Sequence, residues 1–266
     1  MTMKSQLRSI RRKCLTWAYS RKVALGDRGP IVSFTFDDFP RSALVVGGKI
    51  LRDYGFRGTY YAAISLMNEV NHLGEHFRRC DLETILRDGH ELASHTFGHV
   101  SSRTISARAF KSEVEKGRRA IEELTGQKDS GNFAYPFGDV TLNAKRTVGP
   151  DLASSRGIWS GLNGAEVDLN LLRANSLYGD LEKSAQVDHL IRENERRGSW
   201  LIFYSHDVAP SHSQYGCTPA LLEFAVSAAA KSSSRVMTVA EVLQELRQPI
   251  GRQARSSALS PVFQKD

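Results

Sequence analysis

Ile31-Val32-Ser33-Phe34-Thr35-Phe36-Asp37-Asp38 is a run of apolar and β-branched residues that stops at two adjacent carboxylates, with Pro40 and Arg41 just beyond. Such a run reads as a buried strand, and the proline marks its exit into a loop. Two neighbouring carboxylates disfavour each other's charge. A cation between them relieves that cost, as does a division of labour. Successive strand residues point to opposite sides, so one acid could bind metal while the other handles protons. Two solvated loop acids is the reading that needs no chemistry.

A second segment, Gly89-His90-Glu91-Leu92-Ala93-Ser94-His95-Thr96-Phe97-Gly98-His99, reads as a short strand that ends in two histidines four residues apart. On a helical or tightly turned backbone this spacing puts both imidazoles on one face, about 5–6 Å apart at Cβ. The arrangement suits two nitrogen ligands on one zinc-like ion, with Asp38 adding an oxygen. A carboxylate pair ending one strand and a histidine pair ending another say more together than either does alone.

Four segments in order carry a resemblance. Thr35-Phe36-Asp37-Asp38, His95-Thr96-Phe97-Gly98-His99, Phe133-Ala134-Tyr135-Pro136-Phe137-Gly138 and Leu201-Ile202-Phe203-Tyr204-Ser205-His206-Asp207 resemble the motifs of the polysaccharide deacetylases, the NodB-homology or carbohydrate esterase 4 family, over roughly residues 30 to 245. The resemblance implies Asp37 as general base, Asp38, His95 and His99 as metal ligands, His206 as general acid, and the Phe137 backbone N–H at the oxyanion, with Tyr135 and Pro136 beside the substrate. It also implies an acetylated amino-sugar substrate and a divalent metal, Zn2+ first with Co2+ or Ni2+ able to use the same ligands. Such a metal polarises the acetyl carbonyl and acidifies water, and a histidine near neutrality can protonate the leaving amine. Many relatives carry an Arg in the third motif that pairs with the catalytic Asp, where this chain has Ala134. Arg173, in Leu171-Leu172-Arg173-Ala174-Asn175, is the expected substitute because its predicted strand lies between the third and final motifs; a surface ion pair is the other reading.

The implied activity is metal-dependent removal of N-acetyl groups from acetamido sugars. The alternatives are hydrolysis of another amide on the same fold, such as a formamide or ureide, or a non-catalytic carbohydrate-binding relative. Trp159 is expected either in the acetyl pocket or in the core. Tyr215 follows His206 in a loop at the mouth of the site, where it could stack on a sugar. His72-Leu73-Gly74-Glu75-His76 fits the inverted zinc-protease pattern, but that chemistry needs a helix and Gly74 sits at its centre.

Alternating strands (31–37, 57–62, 90–95, 131–136, 152–157, 171–176, 199–205, 234–238) and helices (near 43–54, 81–88, 106–125, 141–149, 183–197, 217–230, 239–247) predict an α/β fold. Chemical residues at C-terminal strand ends suit a barrel; the resemblance implies a distorted (β/α) barrel of about seven parallel strands. The expected organisation is a basic N-terminal arm or helix over 1–28, a catalytic domain over 29–248 and a polar tail over 249–266. The 266 residues carry a net charge of +7, with 36 Lys/Arg against 29 Asp/Glu. Eight of those bases and only Asp27 among the acids fall in residues 1–28, so the body is balanced and its pI says little about substrate or nucleic acid. The basic segment lacks an apolar signal core, which with three scattered cysteines predicts a cytoplasmic protein, with that segment able to make weak contact with a membrane surface.

Overall fold

The computed structural model describes residues 15–248. Its strands are β1 (Lys22–Ala24), β2 (Ile31–Asp37), β3 (Thr59–Ala62), β4 (Val70–Asn71), β5 (Gly74–Glu75), β6 (Glu91–Ser94), β7 (Asn132–Ala134), β8 (Ser154–Arg156), β9 (Glu166–Asp168), β10 (Asn175–Ser176), β11 (Trp200–Ser205) and β12 (Arg235–Val236). The helices are α1 (Lys49–Asp53, continuing a π-helix over Ala43–Gly48), α2 (Arg79–Arg87), α3 (Ala107–Thr125), α4 (Leu142–Val148), α5 (Ser184–Arg197), α6 (Pro219–Lys231) and α7 (Val239–Leu246).

An all-parallel sheet runs in the order β10-β11-β2-β3-β6-β7-β8, with β12 added against β2. Strand β2 pairs with β11 along Ile31–Phe36; β12 meets Ile31 and Val32, and β3 meets Thr35–Asp37. At the far edge Arg156 of β8 bridges to Leu172, three residues before β10. Segment 172–176 therefore touches both ends of the sheet and rolls it into a distorted barrel. All seven residues of β2 are buried, as expected of a parallel strand covered on both faces.

Helix α3 shows how sequence sets position. Ser106 caps it by accepting from the Ala109 N–H at 3.2 Å, and Gly126 ends it at φ 67°. Phe110, Val114, Gly117 and Ile121 form its buried face. At Gly117 a Cβ would lie 2.8 Å from the Thr96 carbonyl carbon, so only glycine lets the helix lie against the loop after β6. From the same helix Glu113 accepts the Gly98 N–H at 2.8 Å, and its carbonyl accepts the Phe97 N–H.

The described part of the N-terminal segment is joined to the body, unlike a free arm. Strand β1 pairs antiparallel with β9. The buried Lys145 ammonium donates to the Leu15 carbonyl at 2.9 Å and to Asp168 at 2.7 Å. The rest of the expected basic arm (1–14) and the polar tail (249–266) lie outside the described residues. Every predicted strand and helix of the body is present, most shortened by one to three residues; the short β1, β4, β5 and β9 were not foreseen. Among the described residues no helix is long and apolar enough to cross a membrane.

Candidate active site

Strand β2 ends at Asp37, and the chain then turns sharply: Asp38 and Phe39 have φ of 59° and 58°. After β6, Thr96 and His99 have φ of 62° and 50°, and after β7 Phe137 has 58°. Such left-handed conformations are uncommon for side chains other than glycine and cost about 1–3 kcal/mol where the conformer is sparsely populated. Five of them gather in the three loops at the C-terminal rim, where they aim side chains inward.

His95 Nε2 lies 3.2 Å and His99 Nε2 2.9 Å from Asp38 Oδ1. These three ligand atoms all fall within 4.8 Å of one another. His95 Nδ1 is 2.7 Å from the Ala134 carbonyl, which can only accept, so Nδ1 carries the proton. In the neutral ring Nε2 then presents a lone pair to a buried carboxylate oxygen that has no hydrogen-bond partner. Two facing acceptors require something positive between them. An oxygen and two imidazole nitrogens suit a divalent transition metal, so these residues fit such an ion.

Asp37 faces a different partner. The buried Arg156 guanidinium at the end of β8 forms an ion pair with its Oδ1 and donates to the Gly157 carbonyl at 3.0 Å. The same guanidinium lies 4.9 Å from the Tyr61 ring centre and 5.2 Å from that of Tyr204. Burial works against its charge, but Asp37 together with Tyr61 and Tyr204 outweighs burial, so the Arg156 pKa is raised.

His206 follows β11. Its Nε2 is 4.0 Å from Asp38 Oδ2, and its Nδ1 donates to the Tyr215 carbonyl at 3.1 Å. That carbonyl also accepts the His206 N–H. The loop is braced by Asp207, whose carboxylate accepts from the Ser213 N–H at 2.7 Å and hydroxyl at 2.6 Å. Asp37, Asp38, His95, His99 and His206 line one cavity of about 320 Å3, together with Phe137, Ile158, Tyr178, Tyr204 and Tyr215.

Residues 25–149 match the family model for polysaccharide deacetylases. The fold is shared with the Xyl-CE4 domain of a multidomain xylanase from the hindgut metagenome of Trinervitermes trinervoides (20% identity, 81% of this chain and 90% of that chain, TM-score 0.54). It is likewise similar to a family 4 acetyl xylan esterase from Clostridium thermocellum in complex with a cobalt ion (18% identity, 81% and 91%, TM-score 0.57). A peptidoglycan deacetylase from Bacillus subtilis is a further structural relative (14% identity, 83% and 92%, TM-score 0.52). A search of curated proteins returns no match. Over that stretch the chain belongs to the polysaccharide deacetylase family.

Several residues lie elsewhere than expected in this deacetylase-family chain. Arg173 does not reach Asp37; its guanidinium donates to the Ser160 carbonyl at 3.1 Å, and Arg156 occupies the place assigned to it. Trp159 takes the second of its two expected places, packed against the core cluster containing Phe110 and Phe133, and its neighbour Ile158 lines the cavity. Tyr135 is buried between Phe110 and Phe133 and, like Pro136, is not in the cavity wall. The His72–His76 segment is the β4–β5 hairpin, with Gly74 at φ 92°, so no helix presents its histidines. His72 lines the cavity, whereas His76 is fully buried. Arg156, Tyr178 and Tyr204 were missed. Tyr204 was within reach, since it lies two residues before His206 and shares its side of the strand. Arg156 is the only charge in the predicted strand 152–157.

Proposed function

We propose that the chain is a metal-dependent hydrolase that removes N-acetyl groups from acetamido sugars. The observation that carries this reading is the convergence of Asp38, His95 and His99 with the Arg156-held Asp37 and with His206 on one cavity. Asp38, His95 and His99 would hold a divalent metal, Zn2+ first, with Co2+ or Ni2+ suited to the same donors. Bound there, the metal supplies Lewis acidity, polarising the acetyl carbonyl and acidifying water.

The remaining work belongs to this chain's own groups. Asp37 takes the proton of the attacking water, with Arg156 fixing its carboxylate. The Phe137 N–H, presented by a left-handed turn, is the candidate donor to the oxygen that gains charge in the transition state. His206 delivers a proton from Nε2 to the leaving nitrogen; its Nδ1–H is held by the Tyr215 carbonyl, so Nε2 is the atom left to do so. Water adds to the amide carbon, the C–N bond breaks, and acetate and the free amine leave. Ile158 and the ring of Phe137, which packs 4.5 Å from that of His99, would shield the acetyl methyl.

Acetate release from N-acetylglucosamine oligomers, measured with chelated protein and with zinc- or cobalt-restored protein, tests the proposal. Acetate only from the restored protein is expected. Acetate that ignores chelation would remove the metal from the reading. No acetate from any acetylated sugar, with metal bound, would move the activity to another amide or to carbohydrate binding.

A further inference from the structure

Residues 15–17 form a helical turn on the outside of the barrel, and its two apolar side chains part company. Leu15 is 3% exposed and packs in the cluster of Phe110, Val114 and Val148, while its carbonyl accepts from the buried Lys145 ammonium at 2.9 Å. Trp17 is 84% exposed, the most exposed large hydrophobic side chain among the described residues, and Tyr19 is 48% exposed. A lone exposed tryptophan is ordinary; what surrounds this one is not.

Residues 1–14, which lead into the turn, hold Lys4, Arg8, Arg11, Arg12 and Lys13 and no acid. Met3, Leu7, Ile10 and Cys14 run on to Trp17 at 4-3-4-3 spacing, the period of one helical face. The nearby acids on β9 are already answered, Glu166 by Lys22 at 2.9 Å and Asp168 by Lys145 at 2.7 Å. Arg146, whose guanidinium lies 6.0 Å from the Tyr19 ring centre, adds a further positive charge beside the exposed aromatics.

We infer that the N-terminal segment docks on a membrane surface carrying anionic lipid, as a basic amphipathic helix whose apolar face ends at Trp17. Trp17 turns that face away from the barrel, so it meets what lies outside the body. A second copy of the chain would set five positive charges against five more. A nucleic acid would use the charges and leave the apolar row in water. An anionic bilayer answers both, with tryptophan and tyrosine suited to the headgroup level, where the ring is apolar and its N–H or O–H stays hydrated. Each Lys or Arg at such a surface strengthens binding about fivefold, so five of them supply on the order of a thousandfold. Docking of this kind is independent of what the catalytic cavity hydrolyses.

Titration of the full chain with vesicles of phosphatidylcholine alone and of phosphatidylcholine with phosphatidylglycerol, at about 0.15 M salt, tests this. Binding to the anionic vesicles is expected to be at least about a hundredfold tighter. Combined Arg8→Gln, Arg11→Gln, Arg12→Gln and Lys13→Gln should remove that preference. Depth is read with lipids brominated on the acyl chain, which quench a tryptophan that reaches them. Quenching is expected in the wild type and should vanish in Trp17→Phe, which leaves only Trp159 and Trp200, both packed in the body. Equal binding to the two vesicles, anionic binding without quenching, or quenching that survives Trp17→Phe overturns the assignment. Displacement of the protein from anionic vesicles by duplex DNA that it binds more tightly would overturn it in favour of nucleic acid. The comparison of the two vesicles uses no variant, so it decides the matter even where a replacement fails to fold.

Discussion

Arg156→Met tests the buried ion pair at the heart of the site. Arg156 has 1% of its side chain exposed and Asp37 has 5%. Removing one member of such a pair strands the other charge, which typically costs about 3–5 kcal/mol. Two aromatic faces flank the guanidinium, and desolvated contacts of that kind add up to about 2 kcal/mol. Methionine keeps much of the volume, so the loss reports charge more than cavity. Urea unfolding of metal-free protein should therefore show Arg156→Met less stable by about 3–5 kcal/mol. Asp37→Asn strands Arg156 in turn and should cost a similar amount, but the double variant should be less damaged than the two losses added, with a coupling of about 2 kcal/mol. Arg173→Ala is the control. Its guanidinium serves one exposed carbonyl, so its effect should stay within about 0.5 kcal/mol. Activity should follow the same division: Arg156→Met should lose most turnover, since nothing then fixes the Asp37 carboxylate. A small stability loss in Arg156→Met, strict additivity in the double variant, or an activity collapse in Arg173→Ala would refute the assignment.

Two other groups give independent tests. His90 is buried and its Nδ1 accepts the Gly58 N–H at 2.9 Å, and burial pushes its pKa down to about 4. A depressed histidine contributes stability that is complete above its unfolded value of about 6.5 and is lost as pH falls toward its folded value. Roughly 2 kcal/mol of that contribution should be gone by pH 5, so chelated wild-type protein should lose more stability between pH 7 and pH 5 than His90→Gln; parallel pH dependences would clear His90 of the role. At Gly216 a Cβ would lie 2.3 Å from Asp207 Oδ1 and 2.5 Å from its carbonyl oxygen. Gly216→Ala must therefore displace the loop whose Tyr215 carbonyl holds His206, and misplacement of about 1 Å can lower kcat up to a hundredfold. Metal content should be unaffected, and an unchanged kcat would show that the loop does not position His206.

The barrel and the metal-type cluster were legible because both reside in local patterns. Strand β2 announces itself by a buried run ending in two acids, and the His95–His99 spacing survives the turn between them. What the residue order could not show is how the turns are held. The loop that holds Thr96 and His99 is braced by contacts from α3, through Gly117 and Glu113, which lie about fifteen to twenty residues downstream. The direction of the His206 ring likewise depends on a carbonyl nine residues away.

The guanidinium that meets Asp37 shows where local reading fails and why topology repairs it. Ala134, the position at which many relatives carry an Arg, is the direct register partner of Arg156 on the adjacent strand. Parallel neighbours lie about 4.8 Å apart, a step that a long arginine side chain can span while placing its charge at the same height in the barrel. Arg173 looked suitable because it also falls between the third and final motifs, but order along the chain does not rank candidates by height or by side of a strand. Register does. Arg156 ends its strand at the rim, beside the emptied position, and Arg173 follows the Leu172 bridge and turns outward to Ser160. The site's need is for a positive charge at one point in space, and any strand that reaches that point can supply it.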